Sequence, residues 1–530
     1  MRCDRRKFIH DTICAALGGA SLYSALGNLQ VLQAAVRANY AFSDYKALVC
    51  VFLYGGNDSF NTIVPYTQTA FNSFFGSNGV RPALALNRSL MTNTVLSAPT
   101  SGAGSPGDGN QYALNPAMAP QAYKDSKGAS QTSADFASAF NAGSAAIVSN
   151  VGTLVAPVTQ TQYQNGNPAL PPQLYSHADQ EAYWQASPPT NQPVTGWGGR
   201  IADLVASANT SSAPVITGLN GQDAFMRGQD VNGYIMNANS ASTINLLQGN
   251  SGPLTCAGAA NAYDSGAAQA FCNLQASGTQ ANVLERTLAN TMNHSIATAN
   301  LINTAIGSAP AFASPNEFPP ELSTGYDLDV QLQTVAQLIW AANQGNTGIT
   351  RQVFFVTTGG YDTHGDELAT HGSPGNPGVL SLLSRSLAGF YNSLNSVGLA
   401  SKATAFTCSD FGRTMTSNNG GTDHGWGSHQ FVIGGAVQGK KFYGNGCGFA
   451  AGTNYGVVMP SLTNPTPPAN VYGSSPNLND SGDGIGRIIP TTSVDQYAAT
   501  LARWFGIGDS DIGLIFPNLA NFNTRYLSFV

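Results

Sequence analysis

The segment Tyr45–Tyr54, YKALVCVFLY, constrains the fold more than any other part of the chain. After Lys46 it is apolar almost without a break. A strand covered on one face alternates apolar and polar side chains; a strand covered on both faces does not. The run therefore predicts a central strand of a parallel sheet with helices on either side. It stops at Gly55-Gly56, and Asn57, Asp58 and Ser59 follow. Open α/β sheets place ligands in such polar clusters, just past the carboxyl ends of buried strands.

The same arrangement recurs along the chain. Ala145–Val151 is a second buried run. Arg351–Thr357 leads into Gly359-Gly360-Tyr361-Asp362-Thr363-His364, and Ala403–Cys408 leads into Ser409-Asp410-Phe411-Gly412-Arg413. Phe431–Ala436 is another strand. Helical spacing predicts helices at Val330–Ala342, Val379–Leu399 and Asp495–Phe505. Strands alternating with helices mark an α/β protein with a mostly parallel sheet. A polar, Asn/Ala/Ser-rich stretch at about 209–320 breaks the alternation. It reads as an inserted helical and loop segment or cap, with helix near Ala281–Ile306. One large domain over 41–530 is expected, carrying that insertion.

Charge excludes two classes of partner. Asp, Glu, Lys and Arg are 9% of the residues and the net charge is -6, against roughly 25% charged residues in an ordinary soluble domain. Nucleic-acid binding and polybasic membrane-surface binding both need a basic surplus. Residues 1–40 read as an export signal: Arg5-Arg6-Lys7-Phe8, a short apolar run from Thr12 to Leu22, then small residues. The paired arginines are those of a twin-arginine signal, which exports already folded proteins. The twin-arginine export machinery is thus an expected partner, and a periplasmic or secreted location is expected. No stretch reaches the roughly eighteen apolar residues of a membrane span. Cys256 and Cys272 bracket a small loop-like stretch and could pair outside the cytoplasm, while Cys50 and Cys408 read as core thiols.

Four of the seven histidines, His177, His364, His424 and His429, sit in loop-like segments. The first three have an acidic residue within two positions. Asp362 and His364 follow a buried strand, and Asp423, His424 and His429 lie in a glycine-rich segment whose backbone can turn sharply. Mixed carboxylate and imidazole ligands suit Zn²⁺, Mn²⁺ or Fe²⁺. Asp58, past the first strand, completes the candidate metal ligands. Ser59, Ser176 and Thr363 are hydroxyls beside these groups and candidates for an attacking oxygen. Arg413 and Arg200 are scarce cations that could clamp a tetrahedral anion; Arg413 could equally pair with Asp410. A GxSxG elbow, a GxGxxG after the first strand and a P-loop are all absent.

These segments resemble, in order, the bacterial domain-of-unknown-function family 1501 (DUF1501). The matching motifs are Arg5-Arg6-Lys7-Phe8, Gly55-Gly56-Asn57-Asp58-Ser59-Phe60-Asn61, Ser176-His177-Ala178-Asp179-Gln180 with Trp184 and Gly198-Gly199-Arg200, Gly360-Tyr361-Asp362-Thr363-His364, Ser409-Asp410-Phe411-Gly412-Arg413-Thr414, and Gly421-Thr422-Asp423-His424-Gly425. Asn115 departs from the pattern, since relatives often have histidine there. The family is similar to the alkaline phosphatase and sulfatase superfamily. The resemblance implies a three-layer α/β/α core and one or two divalent cations (Zn, Mn, Fe, Mg or Ca) at the carboxyl ends of the strands. It implies Asp58, Asp423 and His424 as ligands, His429 as the late histidine ligand, and Asp362 with His364 as a further ligand pair at a spacing of two where the superfamily has four. Ser176, with His177 beside it, fits the order of the superfamily nucleophile better than Ser59. The expected function is an exported metal-dependent hydrolase of a small-molecule or glycan phosphate or sulfate ester. The alternative is a non-catalytic member with a structural or glycan-binding role at the cell surface.

Overall fold

The structure is a computed structural model. It describes residues 40–530 except 125–127, 167–169, 189–192, 220, 239, 242–247, 250–251, 254–255, 277–281, 311, 313–327, 346, 445–458, 463–479. The export-signal reading of residues 1–39 and Cys447 lie outside the described residues.

Among the described residues nine strands form the main sheet: β1 (Lys46–Leu53), β2 (Ala145–Gly152), β3 (Ile216–Leu219), β4 (Tyr234–Met236), β5 (Arg351–Thr358), β6 (Ala403–Ser409), β7 (Ser428–Gly434), β8 (Phe442–Tyr443) and β9 (Thr492–Ser493). Their order is β8-β2-β7-β6-β1-β5-β3-β4, and β9 also pairs with β2. Only β7 runs against its neighbours β6 and β2; the other pairings are parallel. The helices that matter below are α1 (Ser59–Thr62), α2 (His177–Gln185), α3 (Trp197–Val205), α4 (Leu328–Ala342), α5 (Glu367–His371), α6 (Val379–Ser396) and α7 (Val494–Phe505).

β1 explains the layering. Ala47, Val49, Val51 and Leu53 face a core shared with α4 and α6. Leu48, Cys50 and Phe52 face the opposite core, shared with α3 and α7. Both sets are buried, and each fully buried Val, Leu or Phe contributes about 1.5–3 kcal/mol. The outcome is a mostly parallel sheet between two helical layers. Cys256 and Cys272 form a disulfide, whereas Cys50 and Cys408 are buried free thiols. One expectation is corrected. The stretch read as an insertion from about 209 starts inside the core, because β3 and β4 extend the main sheet beyond β5. They are too short for the periodicity of a strand to emerge from their polar surroundings.

Register positions the site. Leu53 lies level with Thr358 of β5 and Ser409 of β6. The loops that follow these three adjacent strands therefore open at one height. The segment leading into β7 arrives at the same edge, since β7 is antiparallel. Gly55 allows the closest approach: its φ is +112°, and a Cβ there would lie 2.4 Å from the Asp362 amide nitrogen.

Candidate metal centre

Four side chains converge at this edge. Asp362 and His364 follow β5, His424 precedes β7, and His177 opens α2. The Nε2 atoms of His364 and His424 are 2.9 Å apart. Asp362 Oδ1 lies 3.2 Å from the first and 3.5 Å from the second. Asp362 Oδ2 is 3.5 Å from His177 Nε2, a ring nitrogen that is buried and without a hydrogen-bond partner.

The other nitrogen of each ring is tied to an oxygen that can only accept. His177 Nδ1 meets Asp410 Oδ2 at 2.6 Å, His364 Nδ1 meets Asp423 Oδ1 at 3.2 Å, and His424 Nδ1 meets the Tyr175 carbonyl at 2.8 Å. A neutral imidazole has one N–H. In its neutral form each ring therefore donates from Nδ1 and leaves its Nε2 lone pair facing the cluster. The ring of Phe411 packs on His177 and His424, with centroids at 4.7 and 4.5 Å, and limits their rotation. Hydrogen bonding to Asp410 pushes the His177 pKa up, whereas burial pushes that of His424 down. For Asp362, burial favours the neutral form, but the Arg413 bond and charge outweigh it and lower the pKa.

Among the described residues, two groups could hold a metal ion: His177, Asp362 and His424, and His177, Glu181 and Asp410. They flank an open cleft of about 770 Å³, solvent included, bordered by Tyr54, Gly55, His177, Glu181, Asp362 and Asp410. Burial, with the charges of Asp410 and Asp223, pushes the Glu181 carboxyl up to about 8.

Several expected site residues stand elsewhere. Asp58 is not in the cluster. It caps α1 through the Phe60 amide and binds Arg81 at 2.6 Å, both side chains fully buried. Burial pushes Asp58 up to about 7, with Arg81 opposing. His429 lies in β7 and not in a loop. Its Nδ1 accepts from the Asn150 amide at 3.0 Å, and its buried Nε2 has no partner. The turn after β1 thus aims Asp58 inward, and the strand itself buries His429. Asp423 supports His364 from outside. Arg413 pairs with Asp362 at 2.5 Å and not with Asp410. Its remaining donors hold the carbonyls of Gly55, Gly56, Tyr361 and Thr422, so the buried guanidinium fastens loops and is not free to clamp an anion. Arg200 is buried within α3. Ser176 is the N-cap residue of α2, makes no capping bond with its side chain, and is not among the cleft-lining residues.

Sequence reasoning missed Asp410 and Glu181 as site groups. Asp410 carries the same strand-end signature as Asp58. Glu181 lies four residues after His177, the spacing that puts two side chains on one helix face.

A family model described as a protein of unknown function (DUF1501) matches residues 45–462. No curated protein matches. Among solved structures, a crystal structure of a mutant of the alkaline phosphatase PafA is 14% identical, with a TM-score of 0.22 over 71% of this chain and 64% of that one. The match spans just under two thirds of that phosphatase, and the likeness is weak.

Proposed function

The chain belongs to the DUF1501 family, whose function is unknown, and on that premise we propose an exported hydrolase that holds a transition-metal cation between His177, Asp362, His364 and His424 and cleaves a phosphate or sulfate ester. The 2.9 Å approach of the His364 and His424 Nε2 atoms carries the reading. With both neutral rings donating from Nδ1, two Nε2 lone pairs face each other, and a metal cation or a shared proton between them relieves the repulsion. Ligands about 2.0–2.2 Å from a tetrahedral Zn²⁺ lie about 3.3 Å from one another, close to the 2.9–3.5 Å separations among Asp362 Oδ1, His364 Nε2 and His424 Nε2; His177 Nε2 lies 3.5 Å from the second Asp362 oxygen. Three imidazoles and one carboxylate fit Zn²⁺, Mn²⁺ or Fe²⁺, and not Mg²⁺ or Ca²⁺, which take oxygen ligands.

When bound, such a cation supplies Lewis-acid polarisation of an ester oxygen. The chain does the rest. Asp410, Asp423 and the Tyr175 carbonyl fix the tautomers of the three rings. Arg413 holds Asp362 in place. Glu181, whose carboxyl burial and the Asp410 and Asp223 charges push up, stands at the cleft wall, where its protonated form can donate to a departing oxygen. The cleft borders offer no well-placed serine, so water is the attacker in this reading and Ser176 its rival.

Arg413 favours a second reading. With that guanidinium engaged, the cleft lacks a fixed clamp for a tetrahedral anion, as a non-catalytic, glycan-binding member would.

The test is elemental analysis of freshly exported protein, with turnover of aryl phosphates, diesters and sulfates. About one equivalent of transition metal is expected, and His424→Ala should lower both metal content and turnover. Wild-type protein without metal, unaltered by chelators, would sink the metal centre. Metal without turnover selects the second reading.

A further inference from the structure

We propose that Glu367 is a positioning residue for the cation site: it sets the spacing of the two loops that carry Asp362, His364, Asp423 and His424. The inference rests on the metal-centre reading above.

Glu367 opens α5 with a side chain that is 0% exposed. Its Oε2 accepts from Thr363 Oγ1 at 3.1 Å and from Thr422 Oγ1 at 2.8 Å. Its Oε1 accepts from Asn61 Nδ2 at 3.1 Å, and its amide donates to the Gly420 carbonyl at 2.9 Å. The two threonines are in telling places. Thr363 lies between Asp362 and His364, and Thr422 directly precedes Asp423 and His424. One carboxylate oxygen thus joins the post-β5 loop to the pre-β7 loop, and the other oxygen joins both to α1.

The main chains make the same junction. The Thr422 amide donates to the Thr363 carbonyl at 2.9 Å. A Cβ on Gly421 would lie 2.2 Å from that carbonyl oxygen, so the loops touch with no room for a side chain.

Burying a carboxylate is costly without compensation. Besides the neutral Asn61, Thr363 and Thr422, the Glu367 carboxyl meets the Asp58 carboxyl, whose pKa it raises through a side-chain hydrogen bond and its charge, while the His371 Nδ1 is 3.9 Å away, beyond hydrogen-bond reach. Glu367 is not itself the cap of α5: Asp366 holds the N-cap position, without a capping bond from its side chain. What the carboxylate does provide is a common anchor for three segments. Donors that must sit within a few tenths of an ångström of their places need such an outer support.

The experiment uses the full mature chain, stripped of metal and titrated with Co²⁺. Affinity, the visible ligand-field band and the metal-free melting temperature are read for wild type, Glu367→Gln, Thr422→Val and Thr422→Ser. Thr422→Val should weaken Co²⁺ binding about 10-fold or more and alter the band, as loosened outer support does. Thr422→Ser keeps the hydroxyl and should restore both. Glu367→Gln should follow Thr422→Val; if it fails to fold, the threonine pair still decides. Variants that melt earlier yet bind Co²⁺ with wild-type affinity and band reduce Glu367 to a purely structural group and overturn the proposal. Wild-type protein that takes up no Co²⁺ removes the metal centre itself, and the positioning role with it.

Discussion

At the scale of single residues, burial decides protonation behind the cluster as hydrogen bonding decides it in front. His429 is 2% exposed, and burial pushes its pKa down to about 3. The unfolded chain takes up a proton at this ring near pH 6.5; the folded chain does not until about 3. Stability from this group is therefore full above pH 6.5 and falls as the pH falls toward 3. Asp58, pushed up to about 7, acts in the opposite sense: the folded state keeps a proton that the unfolded state has lost. His429→Gln removes only the histidine contribution. The stability gap between wild type and variant should shift in the variant's favour by about 2 kcal/mol between pH 6.5 and 4.5. Urea unfolding at the two pH values checks this, and a gap that stays constant contradicts it. Candidate residues were legible in the sequence where glycines and strand ends converge, at Asp362, His364 and His424, whereas His177, which starts α2, read as a catalytic group beside Ser176 and not as a donor of this cluster. The place of Asp58 was not legible, because its side chain is turned inward by an arginine 23 positions away, a pairing that spacing does not reveal.

At the scale of elements, apolar runs gave the strands and helices of the core to within a few residues. Polar composition concealed β3 and β4. The α2 start lacks a bond from the Ser176 side chain to its first turn. A working serine cap is worth about 1 kcal/mol. Ser176→Ala should thus cost well under that in thermal unfolding. If water is the attacker, turnover should also stay within about threefold, since a lost nucleophile removes several decades of rate. Melting temperature and ester turnover are measured on the same preparation, and a collapse of rate at unchanged stability would return Ser176 to the role of nucleophile. The tautomer assignments at the cluster were illegible for a related reason: Asp410 and the Tyr175 carbonyl reach their rings across 233 and 249 positions.

At the scale of the whole molecule, scarcity of charge makes the few buried ionic groups informative. With 9% charged residues, the chain nonetheless encloses Arg81, Asp58, Glu367, Asp410 and Arg413 at one sheet edge. Among the described residues no helix is long and apolar enough to cross a membrane. The paired arginines at positions 5 and 6 argue for export in the folded state. Replacing both by lysine should leave precursor in the cytoplasm, which fractionation and immunoblotting detect; unimpaired export of that variant would remove the twin-arginine reading.

The sheet order has a further consequence. β1 pairs on one side with β5 and on the other with β6, about 305 and 356 residues later in the chain. The four converging donors are drawn from positions 177 to 424. No fragment that ends before residue 424 contains the cluster, so occupancy by a cation would require that the chain has been made through β6 and that its sheet edge has formed. A transporter that accepts only folded cargo would then carry a cofactor chosen from the ions of the compartment left behind, not of the one entered.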